Sequence, residues 1–171
     1  MKEKVLTNLI LIGVVVLFFL GIFGYTALDS WLNEPMAMEK AQEKLTEDKE
    51  EIQLILDFLM GLNSQRVTID RADGTMEVSF TYEKIENADV RAAVKTLFDE
   101  KDYYSICKQG KTVYFMQWCG VRDISCGVAY TEYGMDKLQV DFLVEKTALS
   151  QENWYYCVCD YEYWSASQQQ N

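Results

Sequence analysis

From Val5 to Leu28 the chain reads VLTNLILIGVVVLFFLGIFGYTAL, with no charged side chain and an unbroken apolar run from Leu9 to Phe23. At about 1.5 Å per residue, a helix of this segment spans the roughly 30 Å hydrocarbon layer of a bilayer. A secretory signal peptide has a shorter apolar region, about 7 to 15 residues, closed by a small-x-small cleavage site. Here Ala27 is preceded two positions earlier by Tyr25, a poor site for cleavage. The segment therefore reads as an uncleaved single-pass anchor that contacts membrane lipid through residues 5–28. Lys2 and Lys4 precede it and Asp29 and Glu34 follow it. The positive-inside bias then places the N-terminus in the cytoplasm and the remainder outside the cell membrane.

That remainder is the size of one domain. Beyond residue 28 the chain holds 14 Lys and Arg against 26 Asp and Glu, a net charge of about −12. Such a domain repels phosphate backbones, so nucleic acid is not an expected partner. Histidine is absent from the whole chain. This removes the commonest general base near neutral pH and the commonest metal ligand, and with them any His-dependent triad.

The expected organisation has three parts: residues 1–28 as cytoplasmic tip and anchor, 29–64 as linker and amphipathic helix, and 65–171 as the head. Asn33-Glu34-Pro35 is a helix-start signal. Leu45, Ile52, Ile55, Leu56, Leu59 and Leu62 follow at helical spacing. The charged first half, EKAQEKLTEDKEE, reads either as a solvated spacer or as the polar face of the domain's first helix. After residue 64 the period becomes two. Asp73-Gly74 between Val67, Ile69 and Met76, Val78, Phe80, Tyr82 predicts a β-hairpin. Asn87 is placed to cap a helix carrying Val90, Ala93, Val94, Leu97 and Phe98 on one side. DYYSIC, TVYFMQW, CGVAYTEY, KLQVDFLVE and WYYCVCDYEYW read as further strands. The predicted fold class is α+β: a transmembrane helix, then a mainly antiparallel sheet of about six strands with two helices on one face.

Cys107, Cys119, Cys126, Cys157 and Cys159 all lie in the C-terminal part. In an oxidising compartment they are expected to be structural, with two of Cys107, Cys119 and Cys126 partnering Cys157 and Cys159. A C-x-C pair is also a thiol-exchange motif, with Cys157 attacking and Cys159 resolving. No His or adjacent Lys is present to lower a thiol pKa, and Asp160 raises it. A zinc site from Cys119, Cys126, Cys157 and Cys159 would have the wrong spacings, so no metal and no cofactor are expected. The last strand alternates Trp154, Tyr156, Val158 with Tyr155, Cys157, Cys159. Trp154, Tyr156 and Trp164 are the aromatic residues expected to make a recognition surface.

No nucleophile elbow, phosphate-binding glycine loop or calcium loop occurs. Type IV pilins also lead an apolar helix into an α+β head, but their glycine and glutamate signature does not flank this span. The layout resembles small anchored proteins of Gram-positive bacteria, a likeness of arrangement that assigns no residue a role. The function expected is that of a membrane-anchored, non-enzymatic binding or accessory domain with a protein partner in the envelope. The alternatives are a thiol-disulfide redox protein and a structural subunit of a membrane assembly.

Overall fold

The computed structural model describes residues 36–119, 124–161, 163 and 165. The expectations made for residues 5–28, for Asn33 to Pro35 and for Trp164 lie outside these residues. Among the described residues no helix is long and apolar enough to cross a membrane. They form an α+β domain in the unit that begins at Pro35, with three helices and an eight-stranded antiparallel sheet.

Two helices come first, α1 (Met38–Glu47) and α2 (Lys49–Gly61), separated at Asp48. The periodicity predicted one helix, and the interruption has a local cause. Asp48 is buried where a solvated residue was expected. Its Oδ1 lies 3.0 Å from Lys101 Nζ, and its Oδ2 accepts a hydrogen bond from Tyr103 Oη at 3.1 Å. The first half is no free spacer, because Ala41 and Leu45 are buried in the core. Tyr156 Oη also donates to the Met36 carbonyl at 2.5 Å, and Ser150 donates to Gln42 Oε1 from both N and Oγ.

The expected hairpin forms between β1 (Arg66–Ile69) and β2 (Thr75–Val78), with Val67 opposite Val78. Asp73 Oδ1 accepts from Thr75 N at 2.9 Å and Thr75 Oγ1 at 2.6 Å, and Gly74 takes the positive φ that this turn needs. The strand read through Met76 to Tyr82 is in fact two. Ser79 and Phe80 adopt φ of 50° and 72°, the paired positive values of a two-residue hairpin turn, and β3 (Thr81–Lys84) folds back onto β2. Helix α3 (Ala88–Glu100) then crosses to the middle of the sheet. Its Asn87 cap accepts from Asp89 N at 2.9 Å and Val90 N at 3.2 Å, as its sequence predicts.

The remaining strands are β4 (Tyr103–Gln109), β5 (Thr112–Trp118), β6 (Ile124–Thr131), β7 (Leu143–Ala148) and β8 (Trp154–Asp160). The order across the sheet is β3-β2-β1-β4-β5-β6-β8-β7. The run KLQVDFLVE was expected to be one strand, and its apolar alternation is misleading. Leu138, Val140 and Phe142 belong to a strap between β6 and β7 that turns through Met135–Lys137 and ends with Phe142 at φ 63°. Only from Leu143 does the chain pair with β8.

Strand periodicity divides the side chains into two cores. On the helix side Ile106, Val113, Phe115, Cys126, Val128, Trp154, Tyr156 and Val158 pack against the helices. On the other side Tyr114, Met116, Ala129, Cys157 and Cys159 pack with Leu138 of the strap. Lys108 is buried on the helix side, its Nζ donating to the Leu62 carbonyl at 2.5 Å, just beyond the end of α2.

Candidate functional site

The strap covers only part of the sheet face that the helices leave open, and beside it lies a cavity of about 440 Å³. Its origin is a profile of side-chain sizes. Antiparallel register sets Trp118 of β5, Ser125 of β6 and Cys159 of β8 side by side. The next row is Met116, Gly127 and Cys157. Of these, Trp118, Ser125, Cys159 and Met116 line the cavity, whose floor continues over Thr68 of β1 and Cys107 of β4, while Trp118, Tyr104 and the strap residues Val140, Asp141 and Phe142 wall it. Tyr114 Oη accepts from Gln139 N at 2.9 Å and holds the strap against the sheet.

Two aromatic pairs line this depression. Trp118 stacks on Tyr104 with ring centroids 4.3 Å apart and planes inclined by 18°. Phe142 and Tyr161 meet edge to face at 5.0 Å. Trp118 is 58% exposed and Tyr161 51%, so both rings remain largely open to solvent. Thr68, Ser105, Ser125 and Gln109 add neutral polar groups, and Arg66 and Asp141 one charge of each sign. The Ser125 hydroxyl sits beside Tyr104 and Cys159 and opposes the upward push that burial gives both.

Three thiols remain free: Cys107, Cys157 and Cys159. Cys107 and Cys159 line the cavity. Burial pushes the Cys107 thiol up, against the hydrogen bonds from Thr68 and Gln109 that would lower it. Burial, aided by Asp141, pushes Cys159 up to about 12, the Ser125 hydrogen bond opposing. Cys157 is pushed up too, by burial first and then by Cys159. Its Sγ lies 3.8 Å from Met116 Sδ in a closed apolar setting. All three are thiols at neutral pH, the form that does not attack disulfides.

No protein family, no curated protein and no solved structure matches the chain.

The expected disulfides require correction. Cys119 and Cys126 pair with each other, their Cα atoms 6.0 Å apart. The reason is the period of two. Cys126 stands opposite Val158 and so faces the helices, whereas Cys157 stands opposite Gly127 and faces the strap with Cys159. The same separation divides the four-cysteine zinc set between two faces. Among the described residues no group of three or more His, Cys, Asp or Glu side chains could hold a metal.

The aromatic expectation also changes. Trp154 and Tyr156 are 8% and 3% exposed and lie in the helix-side core, so neither offers a recognition surface. Trp154 packs with Tyr130 and Phe115. The residues that do form an exposed aromatic site, Tyr104, Trp118, Phe142 and Tyr161, were not singled out by sequence. Alternation in TVYFMQW put Tyr114, Met116 and Trp118 on one face. Which strand would lie beside that face, and how small its residues would be, depended on the order of pairing.

Proposed function

We propose that this chain is a membrane-tethered, extracytoplasmic binding module that takes a ligand in the aromatic-walled cavity beside the strap. The observation that carries the reading is the cavity itself. Its volume is typical of small-ligand sites, its lining mixes aromatic and sulfur-bearing side chains with a few polar groups, and its rings are exposed. A tether raises local concentration, so a weak contact would suffice. The apolar run 5–28 and its flanking charges support the tether. The thiol-exchange reading gains no support, because burial raises the pKa of all three free cysteines and leaves little of the attacking thiolate at neutral pH.

Labelling of intact cells with a membrane-impermeant thiol reagent tests the proposal. Cys107 should label from outside without reduction. It should label faster in the purified full-length chain, where bound ligand has been washed away. Labelling only after lysis would overturn the extracytoplasmic placement. Equal rates on cells and on purified protein would overturn occupancy of the cavity.

A further inference from the structure

The lining of the cavity narrows the chemistry of what it would hold. Among the described residues, Arg66 and Asp141 are the two charged residues that line it, and they cancel. The floor, built from Thr68, Cys107, Met116, Ser125 and Cys159, contains no carboxylate to neutralise a cation. An anion would have to enter against the field of a domain carrying about −12. A neutral ligand is the one that these charges favour.

Its shape is narrowed by the rings. Trp118 has one face on Tyr104, which leaves the other face available, and Tyr161 presents a second half-exposed ring beyond the floor. By strand spacing, Cys159 on the floor lies roughly 10 Å from Trp118 across β6, enough floor for a single ring beside the indole. The electron-rich face of an aromatic attracts the electropositive C–H face of a flat saturated ring. Farther along the cavity from Trp118, toward the Gln109–Thr112 end of β4 and β5 and in the strap, sit planar polar groups: the Arg66 guanidinium, the Gln109 carboxamide and the Asp141 carboxylate. Such groups offer paired donors or acceptors that match adjacent hydroxyls.

An extended peptide fits less well. A peptide bound to a sheet is held through an unpaired edge strand. The strands beneath this cavity, β4, β5 and β6, are each paired on both sides. The floor therefore offers side chains and no backbone ladder.

We propose that the cavity takes a neutral oligosaccharide, one sugar ring stacked on Trp118 and the units beyond it, along β4, hydrogen-bonded by Asp141, Gln109 and Arg66. This inference rests on the binding-module reading and names the ligand class of the same site.

Cys107 lines the cavity as a free thiol and so reports occupancy. The test uses the full-length chain in a detergent without a sugar headgroup. The alkylation rate of Cys107 by a small neutral maleimide is measured with cellohexaose, maltohexaose, mannohexaose, chitohexaose, hexagalacturonate or a neutral apolar tripeptide amide. At least one neutral hexasaccharide is expected to slow alkylation tenfold or more at saturation, and hexagalacturonate is not. Trp118→Ala should abolish that protection while lowering the Tm only slightly, since the side chain is 58% exposed and only its stack on Tyr104 is lost, and Trp118→Phe should restore part of it. Protection by the tripeptide or by hexagalacturonate alone overturns the neutral-sugar inference and leaves the binding module standing. Protection by none of the probes overturns the sugar inference, and equal labelling rates on cells and on purified protein would separately remove the binding reading beneath it. Sugar protection that survives Trp118→Ala overturns the stacking assignment.

Discussion

Asp48 and Tyr103 show how one buried polar contact shapes an interrupted helix. Tyr103 Oη donates to Asp48 Oδ2 at 3.1 Å, and Lys101 closes the other side of the carboxylate. Removing one partner of a buried hydrogen bond leaves the other without water. Tyr103→Phe should therefore cost about 1 to 3 kcal/mol in urea unfolding, with little change in the m-value. A loss below about 0.5 kcal/mol would show that water replaces the phenol at Asp48. Gly127 makes a sharper case. A Cβ at this position would sit 2.0 Å from the Phe115 carbonyl oxygen, a backbone atom that cannot swing away. Gly127→Ala should destabilise by about 3 kcal/mol or more, the upper range of overpacking, because β5 and β6 must part locally. Wild-type stability in this variant would mean that the two strands do not approach as closely as described.

At the scale of elements, the β5–β6 connection is held by the disulfide between Cys119 and Cys126, seven residues apart in sequence. Closing so short a loop stabilises through the unfolded chain by roughly 2 to 3 kcal/mol. The Cys119→Ser, Cys126→Ser double variant should lose about that much, read as a lower urea midpoint. In the denatured wild-type chain the count of reactive thiols should rise by two on reduction. A rise of four would restore the two-disulfide pairing that the sequence suggested. That suggestion failed for the same reason that the aromatic site was missed. Local signals were legible: the Asn87 cap, the Asp73-Gly74 turn and the alternation on β8 all appear where their residues predict. What a single strand cannot reveal is its neighbour. Cys157 lies opposite Gly127 because β8 pairs with β6, an order that follows from the strap carrying β7 past β8 to the sheet edge. The turn at Ser79 and Phe80 was hidden for another reason. Neither residue favours positive φ, and Phe80, 87% exposed at the tip, reads in sequence as one more apolar strand position.

For the whole molecule, the absence of histidine and the burial of phenols and thiols together set the response to pH. With no His, no side chain with an ordinary pKa between 5 and 8 is present, so stability should be nearly level across that interval. Above it, several protons are bound more tightly in the folded chain than in the unfolded one. Burial pushes Tyr114 and Tyr156 up to about 12, and Tyr103 higher still with help from Asp48. Cys159 is also pushed up to about 12, and Cys157 and Cys107 are raised by burial too. A raised folded pKa leaves stability whole below the unfolded value. As pH climbs past 9 for cysteine and 10 for tyrosine, the unfolded chain releases these protons first, and stability falls until the folded values are reached. Each such group contributes at most about 1.4 kcal/mol per pH unit within its window, so several acting together steepen the loss. The Tm should hold from pH 6 to 8 and drop progressively above pH 9. Tyrosinate absorbance from the buried phenols should then appear together with loss of near-ultraviolet circular dichroism. If those tyrosines titrate near pH 10 while the fold stays intact, their burial beneath the helices and the strap is wrong. The two-sided packing of the sheet, and the cavity that depends on it, would fall with it.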